Sequence, residues 1–194
     1  MLKKIIFSGL TLSAIAATSI AVASPAPYLG ASVGIANNTS SNAIGNLPGY
    51  ARGVPFEVFA GYGGVISESL YLGGEITGTV ATAEISSSGG VKTTYGYGAS
   101  IMPGIMLSDH TLAFVRAGVV RSQFSSVDDK ATGGQFGVGI QTLLTQNIDL
   151  RLEYAFTAYQ SVGKVTNVGG NVIDGKLDAP RSDAFNIGLV YKFN

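Results

Sequence analysis

A period of two runs without a break through residues 148–158. Ile148, Leu150, Leu152, Tyr154, Phe156 and Ala158 fall on one side, and Asp149, Arg151, Glu153, Ala155 and Thr157 on the other. A helix, with about 3.6 residues per turn, would mix these sets, whereas a strand sends successive side chains to opposite faces. The final residues repeat the pattern: Phe185, Ile187, Leu189, Tyr191 and Phe193 oppose Asn186, Gly188, Val190 and Lys192. Gln135–Leu144 sets Phe136, Val138, Ile140 and Leu144 against Gln135, Gly137, Gly139 and Gln141. Weaker runs of the same kind lie near Tyr28–Ala36, Val54–Tyr62, Leu70–Ala83, Thr93–Leu107 and Thr111–Phe124, so eight strands are expected. Pro103 sits inside the fourth run. It has no N–H to give to a ladder, which predicts a bulge at Pro103-Gly104.

Connector lengths alternate. Short ones fall at Gly63–Ser69, Ser108-Asp109-His110 and Thr145-Gln146-Asn147. Longer ones follow the first, third, fifth and seventh runs, and Ser161–Pro180 is the longest. Long and short in turn is the rhythm of an up-and-down barrel with loops at one end and tight turns at the other.

Composition narrows the class. Charged residues are 12% of the 194, about half the usual ~25%, and mean hydropathy is positive at +0.33. Beyond the N-terminus there is no stretch of ~20 apolar residues to make a spanning helix. A chain that crosses a bilayer without such helices must close into a barrel, because lipid satisfies no open strand edge. Apolar residues at 46% argue against disorder. Equal counts of 12 basic and 12 acidic residues give no cationic surface for nucleic acid. With no Cys and one His, thiol chemistry and most metal sites and triads are excluded, and neither a cofactor nor a metal is expected.

Residues 1–23 read as an export signal: Lys3 and Lys4, an apolar stretch from Ile5 to about Ile15, then Ala21-Val22-Ala23 before Ser24. A membrane anchor helix is the other reading, and Ser8, Thr11, Ser13, Thr18 and Ser19 dilute its apolar run. Residues 24–194 would then be the barrel domain.

Alternation alone leaves open whether the apolar face points inward, as in a soluble lipocalin-like barrel, or outward to lipid. Glycine recurs on the polar face, which suits a crowded lumen. Charges of both signs share that face, which suits pairing inside it. Tyr28, Tyr62, Tyr95, Tyr97, Tyr154, Phe156, Tyr191 and Phe193 gather near strand ends, where aromatic girdles belong. These features favour the membrane barrel. The C-terminus, with Asn186, Gly188, Tyr191 and Phe193, resembles the outer-membrane insertion signal, from which Asn194 departs by following the last aromatic. Residues Ile101-Met102-Pro103-Gly104 to Leu107-Ser108-Asp109, with Arg116-Ala117-Gly118, are similar to the opacity-protein-like barrels, which share the eight-stranded fold of the outer membrane protein A transmembrane domain. The resemblance implies an all-β, eight-stranded antiparallel transmembrane barrel in the bacterial outer membrane. It implies contact with outer-membrane lipid and lipopolysaccharide, and recognition of the last strand by the barrel-assembly machinery. The peptidoglycan-binding domain of larger relatives is not implied.

Strand parity points Glu57, Glu75, Arg116, Asp149, Arg151, Glu153 and Lys192 into the lumen. Unpaired buried charges are costly, so these should pair. Counting from the turn ends places Glu57, Glu75, Arg116 and Glu153 at one height, with Arg116 as the only base among them. Such a network either plugs the lumen or gates a narrow ion path. Arg121 has the opposite parity and belongs to the outer rim, unless a bulge turns it inward. Asp128-Asp129 reads as a solvated loop tip. Lys164, Asp174, Lys176, Asp178, Arg181 and Asp183 make the last loop a mixed-charge surface able to meet a host ligand or lipopolysaccharide. The expected function is a small surface-exposed barrel with a structural or interaction role and no enzyme activity. The alternatives are a narrow channel and a lipid A-modifying enzyme. Against the enzyme stands His110, placed in a turn opposite the outer leaflet. Neither Gly-x-Ser-x-Gly nor His-Glu-x-x-His occurs.

Overall fold

The computed structural model describes residues 25–42, 48–88, 93–124, 130–160, 162–168 and 171–193. The expected signal at 1–23, the Asp128-Asp129 pair and Asn194 lie outside them, as do the side chains of Lys164, Asp174, Lys176 and Asp178. Among the described residues nine strands form, all paired antiparallel: β1 (Ala26–Asn42), β2 (Pro48–Ser67), β3 (Leu70–Ser88), β4 (Thr93–Ser108), β5 (Thr111–Phe124), β6 (Lys130–Thr145), β7 (Ile148–Tyr159), β8 (Val162–Val168) and β9 (Asn171–Lys192). Each of β1 to β6 pairs with the next, β7 pairs with β9, and β9 pairs with β1 from Tyr28↔Lys192 to Asn42↔Leu177. The ring therefore closes on eight strands and leaves no edge around its waist.

At one end the hairpins β2–β3, β4–β5 and β6–β7 close through Glu68-Ser69, Asp109-His110 and Gln146-Asn147. Spanning needs only ~9–11 residues per strand. β2, β3 and β9 have 20, 19 and 22 residues, and with the inner ends of β2 and β3 joined by a tight turn and that of β9 paired to β1 and β7, the excess projects from the opposite end. The connector expected at Ser161–Pro180 is built differently from a loop: β8 folds back on the outer part of β9, with Val162↔Leu177, Gly163↔Lys176 and Val168↔Asn171. The hairpin continues from the barrel wall at Leu177, which has Asn42 of β1 on its other side.

The bulge expected at Pro103-Gly104 is absent. Ile101↔Ala117 and Gly104↔Phe114 keep one register across it, and Leu72↔Pro103 and Tyr71↔Gly104 do the same on the β3 side. The missing donor is absorbed by a skipped ladder pair instead of an inserted residue. On the β4–β5 ladder the register shifts fall near the strand ends, at Thr93/Tyr95 and Met106/Ser108.

The faces decide between the two barrel types. Leu29, Ile76, Ile101, Val119, Phe136, Ile187 and Leu189 are all exposed, while Glu75, Arg116, Asp149, Arg151 and Glu153 are buried. A soluble monomer does not bare so much contiguous apolar surface while filling its interior with charge. The apolar wall faces lipid. Tyr62, Tyr191 and Phe193 mark its turn end, and Tyr95, Tyr97 and Tyr154 its outer end. Tyr28 was expected in this girdle and instead points into the lumen at 5% exposure. Phe156 lies on the outer face, half-buried.

Candidate functional site: the charged layer of the lumen

Side chains fill the lumen in layers because the strands supply one inward residue in every two. Nearest the turn end, Tyr28, Phe59 and Val190 form one apolar cluster. Met102, Leu112 and Phe114 form a second, with Tyr71 and Met106 against it. Glycines make room for these rings: a Cβ at Gly61 would sit 2.2 Å from Tyr28 Cζ, and one at Gly30 2.2 Å from Phe59 Cζ. Strand parity already sets Phe59, Phe114 and Tyr28 on the inward face, so this filling was open to sequence reasoning that looked only for polar residues there.

Above the rings lies an ionic layer. Glu75 is its hub. Its Oε1 lies 2.6 Å from Arg116 Nη2, and its Oε2 accepts from Arg151 Nη1 at 2.7 Å and from the Tyr28 hydroxyl at 3.1 Å. Arg116 also clasps Glu153 in a forked pair, through Nε to Oε1 and Nη2 to Oε2, and donates from Nη1 to Ser100 Oγ at 2.8 Å. Forked pairs are the strongest geometry available to guanidinium and carboxylate. Arg151 continues the chain towards the turn end. Its Nε donates to Gln141 Oε1 at 2.9 Å, Gln141 Nε2 donates to Asp149 Oδ2 at 2.7 Å, and Asp149 Oδ1 meets Lys192 Nζ at 3.0 Å. The Arg151 guanidinium lies 4.5 Å from the Phe59 ring centre and 5.4 Å from that of Phe114. Cation–π attraction of this kind is worth ~2 kcal/mol or more when desolvated.

All seven sequence-derived lumen residues face inward, but their partnership differs from the expectation at two points. Glu57 accepts a hydrogen bond from Thr79 Oγ1 at 3.3 Å and enters no ion pair among the described residues. Arg151, expected nearer the turns, reaches the same carboxylate as Arg116, so the mid-height layer holds two bases. Tyr28, Ser100 and Gln141 complete the network and were not anticipated.

The lumen's free space is split by this layer. An outer cavity of about 70 Å³ is lined by small and hydroxyl-bearing residues such as Ala36, Ala51, Thr157 and Ser182. A cavity of about 10 Å³ remains between Arg116, Arg151 and Asn186. At the turn end a vestibule of about 310 Å³ opens among Tyr28, Tyr71, Met106, His110, Asp149 and Lys192. Arg121 is exposed on the outer face, opposite Tyr97 in unshifted register, so no bulge turns it inward. His110 is exposed in its turn, where its backbone N–H donates to Ser108 Oγ at 3.4 Å. In the last strand Asn186 and Gly188 face the lumen, while Tyr191 and Phe193 pack edge to face outside, 5.0 Å apart.

A closed barrel with a lipid-facing wall and a charge-filled interior is one architecture among known families, and the sequence model described as Outer membrane protein beta-barrel domain matches residues 7–193. The chain belongs to this family. Members are barrels of the bacterial outer membrane, which fixes the location. The chain is 32% identical over 88 residues to a 25 kDa outer-membrane immunogenic protein of Brucella melitensis, over 42% of this chain and 39% of that protein. It therefore spans about two fifths of that relative's length. Among solved structures it is similar to Neisserial surface protein A, at 20% identity and TM-score 0.48, over 86% of this chain and 97% of that one. It is also similar to Ail, the attachment invasion locus protein of Yersinia pestis, at 14% identity and TM-score 0.46, over 87% of this chain and 99% of that one.

Proposed function

We propose that the protein is a sealed outer-membrane barrel that displays its outer end for contacts at the cell surface. Residues 1–23 are taken as its export signal. The observation that carries the reading is the ionic layer. Eight strands enclose an interior just wide enough for side chains, and here the Arg116–Glu75–Arg151 chain occupies the waist, leaving a cavity of about 10 Å³ between two larger ones. What remains for function is the outer end. There the strands overrun the span, and β8 pairs only with β9 among the described residues, which leaves one rank of backbone groups available to an extended partner strand. The immunogenic character of the Brucella relative accords with surface display.

Short turns of outer-membrane barrels face the periplasm, so His110 sits across an apolar band ~25 Å tall from lipid A in the outer leaflet. General-base catalysis needs contact at about 2.6–3.2 Å. The reading is accordingly non-enzymatic. Delivery to the membrane is assigned to the last strand, with Asn186, Gly188, Tyr191 and Phe193 presented to the barrel-assembly machinery.

Protease mapping on whole cells tests the orientation and display together. Cleavage should fall within residues 161–180, and the Asp109-His110 turn should be cut only after the outer membrane is opened. Cleavage at Asp109-His110 in intact cells, with 161–180 protected, would overturn the reading.

A further inference from the structure

We propose that a tyrosine–cation patch on the outer wall of β4, β5 and β6 binds the phosphates of lipid A. Going up these strands, the lipid face is apolar as far as Ala99, Val119 and Phe136, and then changes character. Arg121 stands directly across from Tyr97 on β4. Lys130, on β6, carries its ammonium 5.4 Å from the centre of the Tyr95 ring and 5.8 Å from that of Tyr97. All four side chains are exposed. Neither Arg121 nor Lys130 forms an ion pair among the described residues; Asp128 and Asp129 of the β5–β6 connection lie outside them.

The patch sits where the apolar wall ends, at the level of lipid headgroups in the outward orientation proposed above, on which it rests. A cation placed there gains from a headgroup phosphate and loses little to desolvation, since charged substitutions near the interface cost only ~0–1 kcal/mol. The tyrosine rings hold the lysine across two strands, and arginine offers a fork that matches phosphate. Cations recur at the same border elsewhere, as Arg52 beside Asn37 on β2 and Arg181 on β9. At the turn end the exposed side chains with formal charge are Glu68 and Asp109 among the described residues. Among the described residues, exposed positive charge is thus collected on the rim that meets the phosphorylated leaflet. Of the border cations, Arg121 and Lys130 are joined through Tyr97. Arg52 is held by Asn37 Oδ1 at 2.8 Å, and Arg181 stands two residues from Asp183. The β4–β6 patch is therefore the one built to take a dianionic group.

The full-length protein in detergent micelles, titrated with bis-phosphorylated hexa-acyl lipid A and read by native mass spectrometry, tests this. Wild type should retain lipid A, and Arg121→Gln with Lys130→Gln should weaken retention by roughly tenfold or more, given the worth of a cation near an anionic surface. Arg52→Gln should change it by less than about twofold. Dephosphorylated lipid A should bind wild type and double variant equally weakly. Inorganic phosphate at millimolar concentration should not displace lipid A. A heat-modifiable gel shift in the double variant shows that it is folded. Equal lipid A retention by folded wild type and double variant would overturn the site. So would displacement by inorganic phosphate or by sucrose octasulfate alone, since a soluble polyanion would then be the occupant. The site lies outside the lumen, so a conducting barrel would overturn the sealed reading and leave this result unchanged.

Discussion

The two halves of the lumen are built from different residues. Towards the turns it is filled by Tyr28, Phe59, Met102, Leu112 and Phe114 and capped by the Glu75 network. Towards the outer end the inward positions include Ala36, Ala51, Ala155, Thr157 and Ala184, which surround open space together with Gln135 and Tyr159. Both halves obey the same period of two, and both hold glycine. What differs is what some of the glycines face: in the lower half Gly30, Gly61 and Gly139 admit rings, and in the upper half Gly53 and Gly96 line the cavity. The proposed seal and the ionic contacts around Glu75 therefore belong to the lower half and the waist.

Substitutions that break this contrast should rank accordingly. The largest effect is expected at Glu75. Glu75→Ala takes a carboxylate from both Arg116 and Arg151, and breaking a buried pair costs about 3–5 kcal/mol. Unfolding in lipid vesicles would measure it, and a double-mutant cycle with Arg151 should show a coupling of about 1 kcal/mol or more. Next comes Gly61→Ala, whose methyl meets the Tyr28 ring and pushes its hydroxyl off Glu75. About 1–3 kcal/mol is expected. Gly134→Ala has nothing within 4 Å of its new carbon and should shift stability by at most about 0.5 kcal/mol in the same assay. In the outer half, Tyr159→Phe removes a hydrogen bond with Ser122 at 3.1 Å and should cost about 0.5–1.5 kcal/mol. The smallest effect belongs to His110→Ala, within about 0.5 kcal/mol of wild type and with unchanged surface display by antibody staining. A loss at Tyr159 as large as that at Glu75 would erase the contrast.

Much of this was legible in the chain. β7 and the inner part of β9 have alternation strong enough to fix both identity and facing, and the inward direction of all seven charged residues follows from parity. Three things were missed, one of which parity alone could have shown. The β8–β9 hairpin lies in Ser161–Pro180, where side chains are mixed and Gly interrupts any period; backbone pairing against the wall, not facing, holds it. Tyr28 looked like a girdle residue because it opens a strand, yet its number has the parity of Ser32 and so of the lumen. The partners of Glu75 depend on strand tilt and stagger, which set height around a closed ring. Counting residues from the turns sets Arg116 at the height of Glu75 and Glu153, and the three side chains meet in the structure. It set Arg151 too low, because it ignores the reach of a long guanidinium side chain. The lipid A patch hides for a related reason: Arg121 breaks the apolar pattern of β5, and only its neighbours across two strands show what it joins.

The central claim is that the Arg116–Glu75–Arg151 layer closes the barrel. Conductance of the protein in planar lipid bilayers, wild type against Glu75→Ala, tests it most directly. The account predicts no steady ion conductance in wild type and discrete openings in Glu75→Ala, where the freed guanidinium groups no longer hold the waist shut. Stable openings in wild type, of the same size as those in Glu75→Ala, would contradict it.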